Sequence, residues 1–188
     1  MKMKQVAVAG LIALAALGAQ AATVNATVGS QSATEFLLSD SNVSGGLLLQ
    51  SGIDNVAAKP DGTNAGSWFV AGENGANGGA ATVSFMTGTE SVSFDWGSPD
   101  SWNTLTVTLS NGTSQSFSAT ALGLGSSYSY VDFSAAGGLW IKSMTFSASQ
   151  PAFEASNFKV SVVPEPANVA LLLAGLGMVG MMARRRRA

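Results

Sequence analysis

The 188-residue sequence contains no cysteine and no histidine. Without them the chain lacks the commonest protein ligands of zinc, iron and copper, and the usual general base of serine and cysteine hydrolases. Oxygen ligands remain, and among metal ions these favour calcium. We therefore expect a protein that is not an enzyme and needs no cofactor, with calcium as the one candidate ion.

Basic residues are scarce away from the two ends of the chain. The formal net charge is −2, yet six of the nine basic residues lie within positions 1–4 and 184–187. Residues 22–162 hold three lysines and ten acidic residues, a net charge of −7. A domain this acidic does not bind nucleic acid by counterion release, and it can attract divalent cations.

Residues 1–21 have the pattern of a secretory signal peptide. Lys2 and Lys4 precede an apolar run over 6–17, and Ala19-Gln20-Ala21 has the small-x-small form of a cleavage site. We predict cleavage between Ala21 and Ala22 after passage through the Sec export machinery. The mature domain would then span residues 22–162.

The last 26 residues, 163–188, combine four features in a fixed order. Val163 leads into Pro164-Glu165-Pro166, the run 167–183 carries no charge, and four arginines follow: Arg184, Arg185, Arg186 and Arg187. Two prolines suit a helix start, and this uncharged run of 17 residues reaches the short end of the roughly 17–25 that span a bilayer. We predict a transmembrane helix over 167–183, with the arginines on the cytoplasmic side.

This order of features resembles a PEP-CTERM sorting signal. The resemblance implies an exported protein, held transiently in the inner membrane of a Gram-negative bacterium and processed there by an exosortase. Proteins of this kind occur in bacteria that make extracellular polysaccharide, and their destination is the cell surface or the medium. An ordinary C-terminal membrane anchor is the alternative, but it leaves the Pro-Glu-Pro and the terminal arginines unexplained.

The mature stretch is typical of an all-β protein. Short runs rich in Val, Phe, Thr and Ser alternate apolar with polar residues, and Gly, Asn, Asp and Pro separate them. Eight to ten such strands with one polar face each predict an antiparallel β-sandwich of jelly-roll type, with a closed barrel as the alternative. Asn111-Gly112, between runs 104–110 and 113–119, predicts a hairpin with a type I′ turn.

Tryptophans are the first candidate binding residues, because aromatic rings stack on the apolar faces of sugars. Trp102 lies in the polar 97–103 loop and is our first candidate for an exposed platform, with a tryptophan that caps the end of the sandwich as the alternative. Trp68 and Trp140 are the further candidates. Trp96 is in phase with Val92 and Phe94 and is predicted to lie in the core.

Acidic and amide residues form the second candidate group. Asp95, Asp100, Glu154 and Asn157 supply the hard oxygens that calcium prefers, although acids that cap loops are the alternative. Phe153-Glu154-Ala155-Ser156-Asn157 resembles a closing segment of PEP-CTERM proteins, with Ser156 at a position where an aspartate is common.

Two functions follow from these patterns. The first is a structural or carbohydrate-binding role in the extracellular polysaccharide of a biofilm. The alternative is a secreted carbohydrate-active enzyme, which would use two carboxylates, and Asp95 with Glu154 is the pair to test.

Overall fold

The computed structural model describes residues 23–49, 57, 59–60, 68–72, 79–125, 127–150, 152–163 and 171–179. The predicted signal peptide and its cleavage residues Ala19, Ala21 and Ala22 lie outside the described residues. So do Pro164, Glu165, Pro166 and the four arginines of the predicted sorting signal.

Twelve strands make up the described part of the mature domain, and every strand pairing is antiparallel. They are β1 Val24–Val28, β2 Thr34–Glu35, β3 Val43–Ser44, β4 Leu47–Leu49, β5 Trp68–Ala71, β6 Ala81–Ser84, β7 Thr89–Gly97, β8 Asn103–Leu109, β9 Ser114–Ser118, β10 Ser129–Ala135, β11 Ile141–Ala148 and β12 Phe153–Val162.

The strands form two sheets. A seven-stranded sheet has the order β1-β10-β7-β12-β5-β4, with β2 pairing beside β5 along the second half of β12. A five-stranded sheet has the order β3-β6-β11-β8-β9. The all-β antiparallel class is therefore confirmed. The described strands form two separate sheets, which fits a sandwich better than the closed-barrel alternative.

One hydrophobic core joins the two sheets. Alternate residues of β7, β10 and β12 face alternate residues of β8 and β11, and these inward positions are buried. Phe146 of the five-stranded sheet lies at the centre, with ring centroids 4.7 Å from Phe69, 5.2 Å from Phe94 and 5.1 Å from Phe153 of the other sheet. Edge-to-face contacts of this kind stabilise the core beyond the burial of apolar area.

The hairpin between β8 and β9 forms where Asn111-Gly112 predicts it, but with a different turn. Gly112 has a φ of 86°, whereas Asn111 is not among the described residues with positive φ. The Gly112 N–H donates to Leu109 O at 2.9 Å, and the Leu109 N–H donates to Thr113 O at 2.8 Å. A turn followed by one left-handed glycine is the three-residue hairpin loop, so the predicted type I′ turn is wrong.

A β-bulge divides β12. Ser156 pairs with Asp95 and Lys159 with Ser93, so Asn157 and Phe158 together oppose one residue of β7. Asn157 has a φ of 52°, in the left-handed region that asparagine tolerates better than most residues. The bulge lets Phe153 and Ala155 before it, and Phe158 and Val160 after it, all face the core.

Residues 171–179 are helical, within the predicted transmembrane segment 167–183, and the rest of that segment lies outside the described residues. No helix in the described part of the chain has the length and apolar character needed to cross a bilayer.

Candidate functional site

The pairing of β7 with β12 brings two candidate acids to the same surface. Ser156 pairs with Asp95, and Glu154 pairs with Gly97. Because the neighbouring Phe94, Trp96 and Phe153 face the core, Asp95 and Glu154 point to the outer face of the seven-stranded sheet. They are diagonal neighbours across the two strands, a relation in which the Cα atoms lie about 7–8 Å apart.

Both acids are buried although they point away from the main core. Asp95 is 1% exposed and Glu154 is 4% exposed. Pro60 is one of the residues that cover this part of the sheet. A Cβ atom at Gly97 would lie 2.8 Å from Pro60 Cγ and 3.2 Å from Glu154 Cβ, so Pro60 and Glu154 both lie against Gly97. Only glycine at position 97 allows this close approach.

A second, smaller hydrophobic cluster lies on the same outer face. It consists of Ala57, Trp68, Val70 and Ala152, all buried, with Leu47 and Leu49 packed against it. Trp68 has no exposed surface, so its ring offers no face to a sugar in this structure. The prediction of Trp68 as a carbohydrate platform does not fit this position, because residues from outside the sheet cover the strand that carries it.

Asp95 lies beside a polar group built on the β12 bulge. The Asn157 Nδ2 group donates to Asp95 Oδ2 at 3.5 Å, and the Tyr130 hydroxyl donates to the Asn157 carbonyl oxygen at 2.7 Å. Tyr130 is also the register partner of Asp95 on β10. Burial, and then the negative charges of Asp95 and Glu35, raise the pKa of Tyr130 to about 12.

The predicted calcium residues are thus partly brought together. Asp95, Glu154 and Asn157 lie along one face of β7 and β12, while Asp100 lies in the turn that follows β7. Burial raises the pKa of the Asp100 carboxyl, and its main-chain carbonyl accepts from the Asn103 N–H at 3.0 Å. Across the described residues, no group of three or more His, Cys, Asp or Glu side chains is arranged to hold a metal ion.

The other two candidate tryptophans are half-buried. Trp102 packs against the main core at the start of β8. Trp140 immediately precedes Ile141, which is buried, and its carbonyl oxygen accepts from the Ser110 N–H at 2.9 Å. The alternation of a strand therefore places Trp140 on the outer side of the five-stranded sheet.

The outer face of the five-stranded sheet is a feature that the sequence analysis missed. It presents twelve serine and threonine side chains in register, which we call the hydroxyl face: Ser44, Thr82, Ser84, Thr104, Thr106, Thr108, Ser114, Ser116, Ser118, Ser143, Thr145 and Ser147. The run Thr104 to Leu109 alternates threonine with core residues and carries the signal. The sequence shows this alternation, but only the strand order shows that these side chains share one face of a sheet.

A family model of the PEP-CTERM protein-sorting motif matches residues 162–187. The match begins at the last residue of β12 and covers the Pro-Glu-Pro, the apolar run and the arginines. The chain thus carries a PEP-CTERM motif, which indicates an exported protein that an exosortase sorts to the cell surface. Neither a curated protein nor a solved structure matches the chain.

Proposed function

We propose that this protein is delivered to the surface of the cell and there serves a structural or carbohydrate-binding role in extracellular polysaccharide. The observation that carries the proposal is the sorting motif joined directly to a β-rich domain, with β12 ending at Val162 and the motif match starting there. In this proposal the segment 167–183 spans the inner membrane before processing, with Arg184–Arg187 on the cytoplasmic side.

The mature domain supports a binding role through its composition and its surfaces. It carries an excess of acidic residues, it is a β-sandwich that we assign to the jelly-roll type, and one sheet presents rows of hydroxyl side chains on its outer face. We also propose that the protein is exported through the Sec machinery and is cleaved after Ala21. Nucleic acid is not among the partners that we propose.

The catalytic alternative rests on one observation, the placement of Asp95 and Glu154 on one face of adjacent strands. Both carboxylates are buried beneath cover that includes Pro60, which keeps a polymeric substrate at a distance from them. We therefore propose a binding protein and not an enzyme. Calcium at Asp95, Asp100, Glu154 and Asn157 stays a prediction.

The test is binding of the full chain, purified in mild detergent, to extracellular polysaccharide from the host. We expect saturable co-sedimentation with the polysaccharide, measured with and without calcium, and no release of reducing sugar. Asp95→Asn tests the enzyme alternative, because it removes one of the two carboxylates that this alternative requires. Absence of binding in both conditions would contradict the carbohydrate-binding role, and sugar release lost in Asp95→Asn would favour the enzyme.

A further inference from the structure

The hydroxyl face is ordered in rows that cross the five-stranded sheet. One row joins five strands: Ser44, Thr82, Thr145, Thr106 and Ser116. A second row joins Ser84, Ser143, Thr108 and Ser114, and a third joins Ser147, Thr104 and Ser118. Neighbours within a row are spaced by about 4.8 Å and rows by about 6.7 Å, from the geometry of a β-sheet.

Hydrogen bonds within the rows hold these side chains in place. Thr82 and Thr145 hydroxyls lie 3.0 Å apart, and Thr106 and Ser116 hydroxyls lie 2.9 Å apart. In the second row, Thr108 and Ser114 are joined in the same way at 3.0 Å. A surface whose polar groups are already ordered loses less conformational entropy when a ligand binds.

The hydroxyl face differs from the outer face of the other sheet in charge. None of its twelve residues is ionisable, whereas the opposite, seven-stranded sheet carries Asp95, Asp132 and Glu154 on its outer side. An anionic polymer would be repelled by the net charge of −7 over residues 22–162. An uncharged polymer meets no such barrier.

Trp140 adjoins the hydroxyl face at the end where β8 finishes and β11 begins. Its main chain pairs with Ser110, which follows Leu109 and so continues the outward series Thr104, Thr106, Thr108. Lys142, exposed at the β11 bulge, lies at the same end. The half-buried Trp140 beside rows of hydroxyls combines an apolar ring for a sugar with hydrogen-bonding groups for its hydroxyls.

We propose that the hydroxyl face, together with Trp140, is a binding surface for an uncharged polysaccharide lying along the hydroxyl rows. Ordered hydroxyls exchange hydrogen bonds with the sugar hydroxyls, threonine methyl groups contact the sugar rings, and Trp140 stacks on a ring at one end. The inference rests on the proposed carbohydrate-binding role and locates its site and ligand class.

The experiment uses the full chain in mild detergent with three probes: the host polysaccharide, an insoluble uncharged β-glucan and anionic alginate. Thr106→Val with Thr145→Val removes two row hydroxyls while keeping β-branched side chains, and Trp140→Ala removes the indole. Thr27→Val, an exposed threonine on β1 of the other sheet, is the matched control. We expect the native chain to bind the β-glucan and not the alginate.

For the double threonine variant we expect binding to the β-glucan about tenfold weaker, as for the loss of one to two net hydrogen bonds, with Thr27→Val unchanged. A similar loss is expected for Trp140→Ala. Unchanged binding in these variants, or binding of alginate alone, would overturn the assignment of this surface and leave the proposed carbohydrate role intact. Failure of the native chain to bind any of the three probes would overturn both.

Discussion

Tyr130 lies where burial and two acidic side chains act together on its hydroxyl. The hydroxyl donates to the Asn157 carbonyl oxygen at 2.7 Å, and the charges of Asp95 and Glu35 disfavour the phenolate. The protonated form is therefore the one that the fold stabilises. Because the pKa is raised above its ordinary value, this contribution to stability is complete below pH 10 and is lost as the pH rises from 10 to about 12.

We predict that Tyr130 titrates near 12 in the folded protein. The chain has two tyrosines, so Tyr128→Phe leaves Tyr130 as the single phenol to follow by the ultraviolet absorbance of its phenolate. The additional change Asp95→Asn removes one of the negative charges and should lower the pKa of Tyr130. A transition near 10 in the folded Tyr128→Phe protein would contradict this description of its surroundings.

Single residues also show the limits of reading the sequence alone. The alternation Val92, Phe94, Trp96 was enough to predict that Trp96 lies in the core, and this is confirmed. Trp68 could not be placed in the same way, because both Trp68 and Phe69 are buried, on opposite faces of β5. A strand covered on both sides has no polar alternation, so its sequence does not say which face a ligand could reach.

At the scale of the element, β11 joins the two sheets through Phe146. Its ring contacts Phe69, Phe94, Phe153 and Phe158, all from strands of the opposite sheet. Interiors are close-packed, so removal of this ring would leave a cavity between the two sheets.

We predict that Phe146→Ala lowers the free energy of unfolding by about 3–5 kcal/mol, as for other buried phenylalanines replaced by alanine. Phe146→Leu, which keeps more of the volume, should cost less than about 1.5 kcal/mol. Urea unfolding of the full chain in mild detergent, followed by tryptophan fluorescence, measures both changes. Met86→Ala, at a residue that is 58% exposed, is the control with little expected effect. Equal effects of Phe146→Ala and Met86→Ala would contradict the position given to Phe146.

The elements differ in how much of them the sequence predicts. The strands β8 and β9 and the position of their turn follow from alternation around Asn111-Gly112, because the pairing is local. The turn type does not follow, since Asn-Gly fits two hairpin loops that differ in the φ of the asparagine. The β12 bulge was also missed, because it is defined by pairing with β7, about 60 residues earlier in the chain.

At the scale of the whole molecule, the C-terminal motif was the most predictable part. Its recognition needs only an order of residue types along the chain, and the family match over 162–187 confirms it. The two candidate surfaces of the mature domain depend instead on strand order. Asp95 with Glu154 and the rows of the hydroxyl face each combine strands that are distant in sequence, so neither surface could be assembled from spacing.

The central claim is that the β-rich domain reaches the cell surface and loses its C-terminal tail on the way. The domain ends at β12, with the Val163 N–H donating to Gly88 O at 2.9 Å, so removal of the residues that follow leaves every described strand intact. In this proposal the tail acts as a sorting signal, and none of the described strands extends beyond Val162.

The most direct measurement is the intact mass of the protein recovered from the cell surface, compared with protein from cells that lack the exosortase. We predict a surface form that begins at Ala22 and ends near Glu165 or Pro166, and an unprocessed form that keeps Arg184–Arg187 in the cells without the enzyme. A surface form that still ends in Arg184–Arg187 and Ala188 would contradict the account.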